Sequence, residues 1–121
     1  GSRGLPDSKI VVSQPWYRQS VGRFFPLLVH LLVFKDIKDT QCGFKLFKKD
    51  VARELFSSQR IRGFSFDVEI IYLAKKRDYR IKEVPVAWFN SPESRVRILR
   101  DSFLMLKDLL RIRFTHRKKL P

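Results

Sequence analysis

The stretch Asp39-Thr40-Gln41-Cys42-Gly43-Phe44-Lys45-Leu46-Phe47 decides how the chain is read. It opens on a carboxylate that favours a turn, passes through Gly43, and ends where large apolar residues alternate with Lys45. That alternation predicts a short strand over Gly43–Phe47. A helix is predicted just beyond it, at Lys49–Ser57, with Val51, Leu55 and Phe56 inward. Just before it, Lys35–Thr40 is polar and reads as a loop.

Further upstream, Pro15 suits the start of a helix over Trp16–Phe34. Val21, Phe25, Leu28 and Leu32 recur at helical spacing and face the core, and Pro26 bends or splits the helix. Residues 1–15 read as a loop with a short strand at Lys9–Val12. Downstream, Ser58–Gly63 connects to a helix over Phe66–Arg77. Asp67 and Glu69 lie near its start, where free N–H groups favour carboxylates. Arg80–Phe89 reads as a strand, and Pro85 places it at an edge or a bulge. Asn90–Glu93 is a turn. The last helix covers Val96–Phe114, with Ile98, Leu99, Phe103, Leu106, Leu109 and Leu110 on one face. Arg97, Arg100, Lys107, Arg111 and Arg113 make the rest of it basic, and His116–Lys119 follows as a basic tail. About four helices and a small sheet make an α/β class. So few strands leave much apolar helix surface to cover, which suits a piece of a larger α/β domain.

The chain has 121 residues, enough for one domain, and its apolar content of 44% allows a packed core. The net charge of +14 argues for a polyanionic partner (a phosphate ligand, an anionic lipid surface or nucleic acid), against the alternative of a solvated basic surface. Cys42 is the only cysteine, so no disulfide forms within the chain. The apolar run Phe24–Phe34 is about half the roughly 20 residues of a spanning helix. No transmembrane helix is expected. The last helix has the pattern of an interfacial helix, with Arg100, Lys107, Arg111, Arg113 and Lys118 toward a membrane surface. The rival reading packs its Leu109–Leu110 side on the core. Nucleic-acid binding is a second class and a non-catalytic membrane-associated scaffold a third. The nucleic-acid class lacks zinc-finger spacing, an RNP-like strand pair and a clear helix-turn-helix.

The quoted stretch closely resembles a motif of the dolichyl-phosphate glucosyltransferases and their prokaryotic polyprenyl-phosphate relatives, in glycosyltransferase family 2. Phe66-Asp67-Val68-Glu69 follows at the expected distance. Glu83-Val84-Pro85-Val86 with Trp88 matches a third block. Ser94-Arg95-Val96, Asp101 and Lys107-Asp108-Leu109-Leu110 match the end of the catalytic domain, and Gly1-Ser2-Arg3 the block that opens this half. The resemblance covers nearly the whole chain. It implies the C-terminal portion of a GT-A, Rossmann-like nucleotide-sugar transferase domain over 1–121, with 96–121 as the basic membrane-surface helix and tail. It implies inverting transfer of glucose from UDP-glucose to dolichyl or polyprenyl phosphate. It also implies Mg2+ or Mn2+ in the complete enzyme, a place at the cytoplasmic side of a membrane, and a nucleotide sugar held by an N-terminal half not in this sequence. The chain alone is expected to be inactive, to bind no metal, and to be open to pairing with a second copy.

The same resemblance assigns Arg3 and Arg18 to the acceptor phosphate, as forks that donate two parallel hydrogen bonds. The alternative is ordinary surface arginine. Asp39 either orients the sugar, holds a loop or assists a metal, or simply caps a turn. Gln41 bonds the donor sugar or nearby backbone. Gly43 and Lys45 are read as donor or loop contacts. Phe44 and Phe47 are expected in the core, and Cys42 is a small buried residue. Asp67 and Glu69, two apart, do not share a helix face. By resemblance they lie near the active centre, and one of them holds a phosphate-binding arginine.

Overall fold

A computed structural model describes residues 1–11, 15–33, 35–89 and 97–117. Four helices and one two-stranded sheet follow in the order β1 (Lys9–Ile10), α1 (Trp16–Leu32), α2 (Lys49–Ser57), α3 (Phe66–Lys76), β2 (Ala87–Trp88) and α4 (Ile98–Thr115). The expected ends of the first strand at Val12 and of the first helix at Phe34 lie outside the described residues. So do the expected turn at Asn90–Glu93 and Ser94, Arg95, Val96 and Lys118.

The third helix is the spine. Val68 and Ile71 join Phe25, Val29, Met105, Leu109 and Ile112 in one core, made where α1, α3 and α4 meet. Ile70, Leu73 and Ala74 turn the other way and pack with Leu55 of α2 in a second core. A helix apolar on both sides is a buried helix, and this one separates two layers. It ends in a left-handed cap. Asp78 has φ 58°, Tyr79 N donates to Ala74 O (2.9 Å), and Asp78 N donates to Lys75 O (3.0 Å). These are the paired bonds of a Schellman motif. Tyr79 completes it by packing against the second core.

Pro26 lies inside α1, and the helix continues through it. The proline removes the hydrogen bond that Gly22 O would accept. Gly22 is exposed, so that carbonyl is open to solvent.

The last helix differs from its expected facing. Met105, Leu109 and Ile112 are buried, whereas Leu99 is 88% and Phe103 70% exposed. The buried seam continues to His116, which is 6% exposed and no part of a solvated tail. The charged flank misled the phase: both sides of α4 carry apolar residues, and only one meets α1 and α3.

The sheet is small, as expected, and its strands are shorter than expected. β1 and β2 are parallel, with Lys9 opposite Ala87 and Ile10 opposite Trp88. The ladder extends through Lys9 N to Val86 O (3.0 Å), Val11 N to Trp88 O (2.9 Å) and Ser2 N to Val84 O (2.8 Å). An isolated bridge joins Ser2 and Pro85, where the proline's missing N–H costs no ladder bond. Ser8 Oγ donates to Ser2 O (2.5 Å) and accepts from Val86 N (3.1 Å). The rest of Arg80–Phe89 is not strand, and neither is Gly43–Phe47, because no strand among the described residues pairs with them. Phe44 is accordingly 68% and Leu46 92% exposed, against the expectation that Phe44 is core. Phe56 is also exposed, while Phe47 and Val51 pack on the second core.

Candidate functional site

Asp39 organises the loop before α2. It accepts from Arg3 at three points: backbone N (3.0 Å) and Nε (2.6 Å) to Oδ2, and Nη2 to Oδ1 (3.0 Å). Oδ1 also accepts from Gln41 N (3.2 Å) and Cys42 N (3.1 Å), closing the turn. Burial opposes the charge on Asp39, but the hydrogen bonds and charge of Arg3 outweigh it, and the carboxyl lies below its ordinary pKa. The same hydrogen bond to Asp39 raises the Arg3 pKa against the opposing effect of burial. The Arg3 guanidinium lies 5.3 Å from the centre of the Trp88 ring, a cation–π distance. Glu83 Oε1 accepts from Lys38 N (3.0 Å) and Asp39 N (3.1 Å). Three sequence blocks, at 1–3, 38–42 and 83–88, thus meet at one node.

A second link ties this loop to the start of α3. Lys45 Nζ pairs with Asp67 Oδ1 (2.7 Å) and donates to Cys42 O (2.5 Å). Gln41 Nε2 donates to Phe64 O (3.1 Å). Gly43 has open space around it and no left-handed backbone. A glycine here is therefore not required by crowding within the chain. Cys42 is buried, as expected of a small apolar residue.

Glu69 lies elsewhere. It is 0% exposed and accepts from Arg60 N (3.0 Å), Ile61 N (2.7 Å) and His116 Nε2 (2.7 Å). A buried carboxylate with three donors is fully occupied by the protein. Glu69 lies in the core, where it fastens the end of α4 to the segment before α3. Among the described residues neither Asp67 nor Glu69 holds an arginine side chain: Asp67 takes Lys45 and Glu69 takes His116. Sequence reading missed this pair. Its signal was a carboxylate inside the apolar run Val68–Ile71, which needs a partner.

Arg18, on the first turn of α1, is half-buried and takes no part in the Asp39 node. Arg100, Lys107 and Arg111 are exposed on α4. Arg113 is exposed and also donates from Nη1 to Leu32 O (3.0 Å), closing the end of α1. Among the described residues no three His, Cys, Asp or Glu side chains gather as a metal site. No described helix is long and apolar enough to cross a membrane.

Among the described residues, four helices, a small two-stranded parallel sheet and a loop node built from charged pairs define an α/β unit, as in part of a GT-A-like transferase domain. The chain is a relative of the dolichyl-phosphate beta-glucosyltransferases. It is 43% identical to the one of Dictyostelium discoideum over 96% of this chain and 36% of that protein. It is 35% identical to the one of Saccharomyces cerevisiae (96% of this chain, 35% of that protein). The human one is also 35% identical (96% and 36%). The chain thus spans about a third of the length of the curated relatives it matches. No family model matches it, and no solved structure matches it significantly.

Proposed function

We propose that this chain supplies the acceptor side of an inverting glycosyltransferase that moves glucose from UDP-glucose to dolichyl or polyprenyl phosphate. The observation that carries the reading is the match over 96% of the chain to relatives named for that reaction. In support, the blocks that carry the resemblance converge on the Arg3–Asp39 node. In this reading the chain is the C-terminal portion of the catalytic domain, and the remaining portion binds the nucleotide sugar.

The reaction forms a bond from an acceptor phosphate oxygen to the anomeric carbon. It breaks the bond from that carbon to UDP, whose oxygen keeps the electron pair. A phosphate monoester has a second pKa of about 6 and needs no strong base near neutrality. The task left to the protein is to hold two anionic phosphates together. Asp39 takes Nε and Nη2 of Arg3 and fixes the plane of its guanidinium. Nη1, which Asp39 does not engage, is then presented to the acceptor phosphate. Arg18 is the second basic group for that phosphate. Gln41 and Asp67 shape the loop beside it, with Lys45 held between Asp67 and Cys42 O. Asp36, Asp39, Asp67 and Glu69 each serve a different partner within the chain. The described residues therefore do not form a ligand set for the Mg2+ or Mn2+ expected of the complete enzyme, and no step is assigned to a metal here. The exposed base of α4, with Arg100, Lys107 and Arg111, faces an anionic membrane surface on its cytoplasmic side, held there peripherally.

The test joins this chain behind the remaining portion of the Dictyostelium relative. Transfer of labelled glucose from UDP-glucose to dolichyl phosphate is then measured. The fusion transfers glucose, and Arg3→Ala in it lowers kcat/KM by about a hundredfold. The 121-residue chain alone transfers none. A folded fusion without transfer, or an Arg3→Ala fusion with full activity, sinks the reading.

A further inference from the structure

The molecule carries a second concentration of positive charge, away from the motif residues. Where α1 and α4 end side by side, a cleft of about 300 Å³ opens between Leu31, Val33, Lys35, Tyr72 and Arg113, with His30 on its wall. None of its lining residues is acidic. The carbonyl end of a helix repels an anion, yet at α1 the Arg113 guanidinium offsets this: its Nη1 donates to Leu32 O (3.0 Å) and sets a cation on the last carbonyl. Arg113 keeps further N–H groups for a ligand, since a guanidinium has five donors. His30 Nε2 donates to Ile37 O (2.5 Å), which fixes its ring at the cleft wall. Lys35 adds an exposed ammonium and Tyr72 a hydroxyl.

Beside the cleft runs an apolar stripe on α1. Phe24, Leu27 and Leu31 are 55%, 53% and 64% exposed. At three- and four-residue spacing they share one helix face, and Leu31 belongs to both stripe and cleft. A cationic cleft at the end of an exposed apolar track fits a ligand with an anionic head and an apolar tail.

We propose that the His30–Lys35–Arg113 cleft binds a phosphate group, of the kind carried by an acidic lipid headgroup. Tetrahedral oxygens suit donors that converge from several sides, and the adjacent stripe takes the apolar part. The inference rests on this cleft and not on the transferase reading. A failed fusion assay would leave it standing.

The experiment is an NMR titration of the 121-residue chain. Inorganic phosphate is added in one arm. In the other, phosphatidylcholine vesicles with and without phosphatidic acid are added. The signals followed are the His30 ring, the Lys35 amide and the Arg113 side chain. We expect saturable shifts at all three. Lys35→Gln, on an exposed loop, and Arg113→Gln, which keeps a donor for Leu32 O, each weaken binding about fivefold. Arg53→Gln, exposed on α2, leaves it unchanged. Saturation with free phosphate shows that the head alone suffices. Saturation only with phosphatidic acid vesicles shows that the lipid is required. Both support the site. Shifts that never saturate in either arm, or equal weakening by Arg53→Gln, overturn it.

Discussion

Asp39 shows how one side chain can tie distant segments of a chain together. Its folded pKa lies below the ordinary value because Arg3 more than offsets burial. The stabilisation is fully present above the unfolded aspartate pKa of about 4. It is lost as acid takes the pH down through the lower folded value. Asp39→Asn should therefore cost about 2 kcal/mol at neutral pH, from lost charge-assisted bonds. Its denaturant midpoint should also change less on acidification below about pH 4 than that of the parent chain. Equal acid sensitivity in both would remove the Arg3–Asp39 pair from the account. At this scale the sequence was partly legible. The motif pointed to Asp39, and the turn-capping role was visible from residue type alone. The Arg3 partnership was not, because 36 residues separate the two. His116 was read as tail because it opens a basic run, and only the packing of α4 shows that its ring is buried.

Helix ends were the most legible elements. The limits of α2 follow from the sequence, and those of α1 and α3 differ by a residue or two. The facing of α4 was not legible, since apolar residues occupy two of its sides and the pattern does not say which has a neighbour. Two element-scale predictions follow from the ends of α3 and α4. Asp78 sits at a left-handed position that glycine occupies at lower cost. Asp78→Gly should raise stability by about 1 kcal/mol in urea melts; a loss would mean that the carboxylate has work beyond the cap. Glu69→Gln places an amide nitrogen among three buried donors. It should cost about 2 kcal/mol or more and speed hydrogen exchange in the last turn of α4 before the rest of that helix. Exchange that rises evenly along α4 would show that Glu69 does not act as its anchor.

For the whole molecule, parallel strands normally lie buried on both faces, yet Ile10 and Phe89, on or beside this sheet, are 56% and 64% exposed. The α/β class and the smallness of the sheet were readable from the sequence. The length of the strands was not, because strand formation depends on neighbours that the pattern cannot supply. An open edge and uncovered apolar faces favour association between copies. The chain alone should sediment as a concentration-dependent mixture, and a fusion that covers the sheet should sediment as a single species; a strictly monomeric isolated chain would show the edge to be harmless. The two-sided packing of α3 has its own consequence. Each of the two cores takes part of its wall from the same eleven-residue rod, so neither can melt and leave the other standing. Heating should give one calorimetric peak, with the loss of Tyr79 and Tyr72 environments coinciding, rather than the staged loosening that two adjoining but separately walled compartments would show.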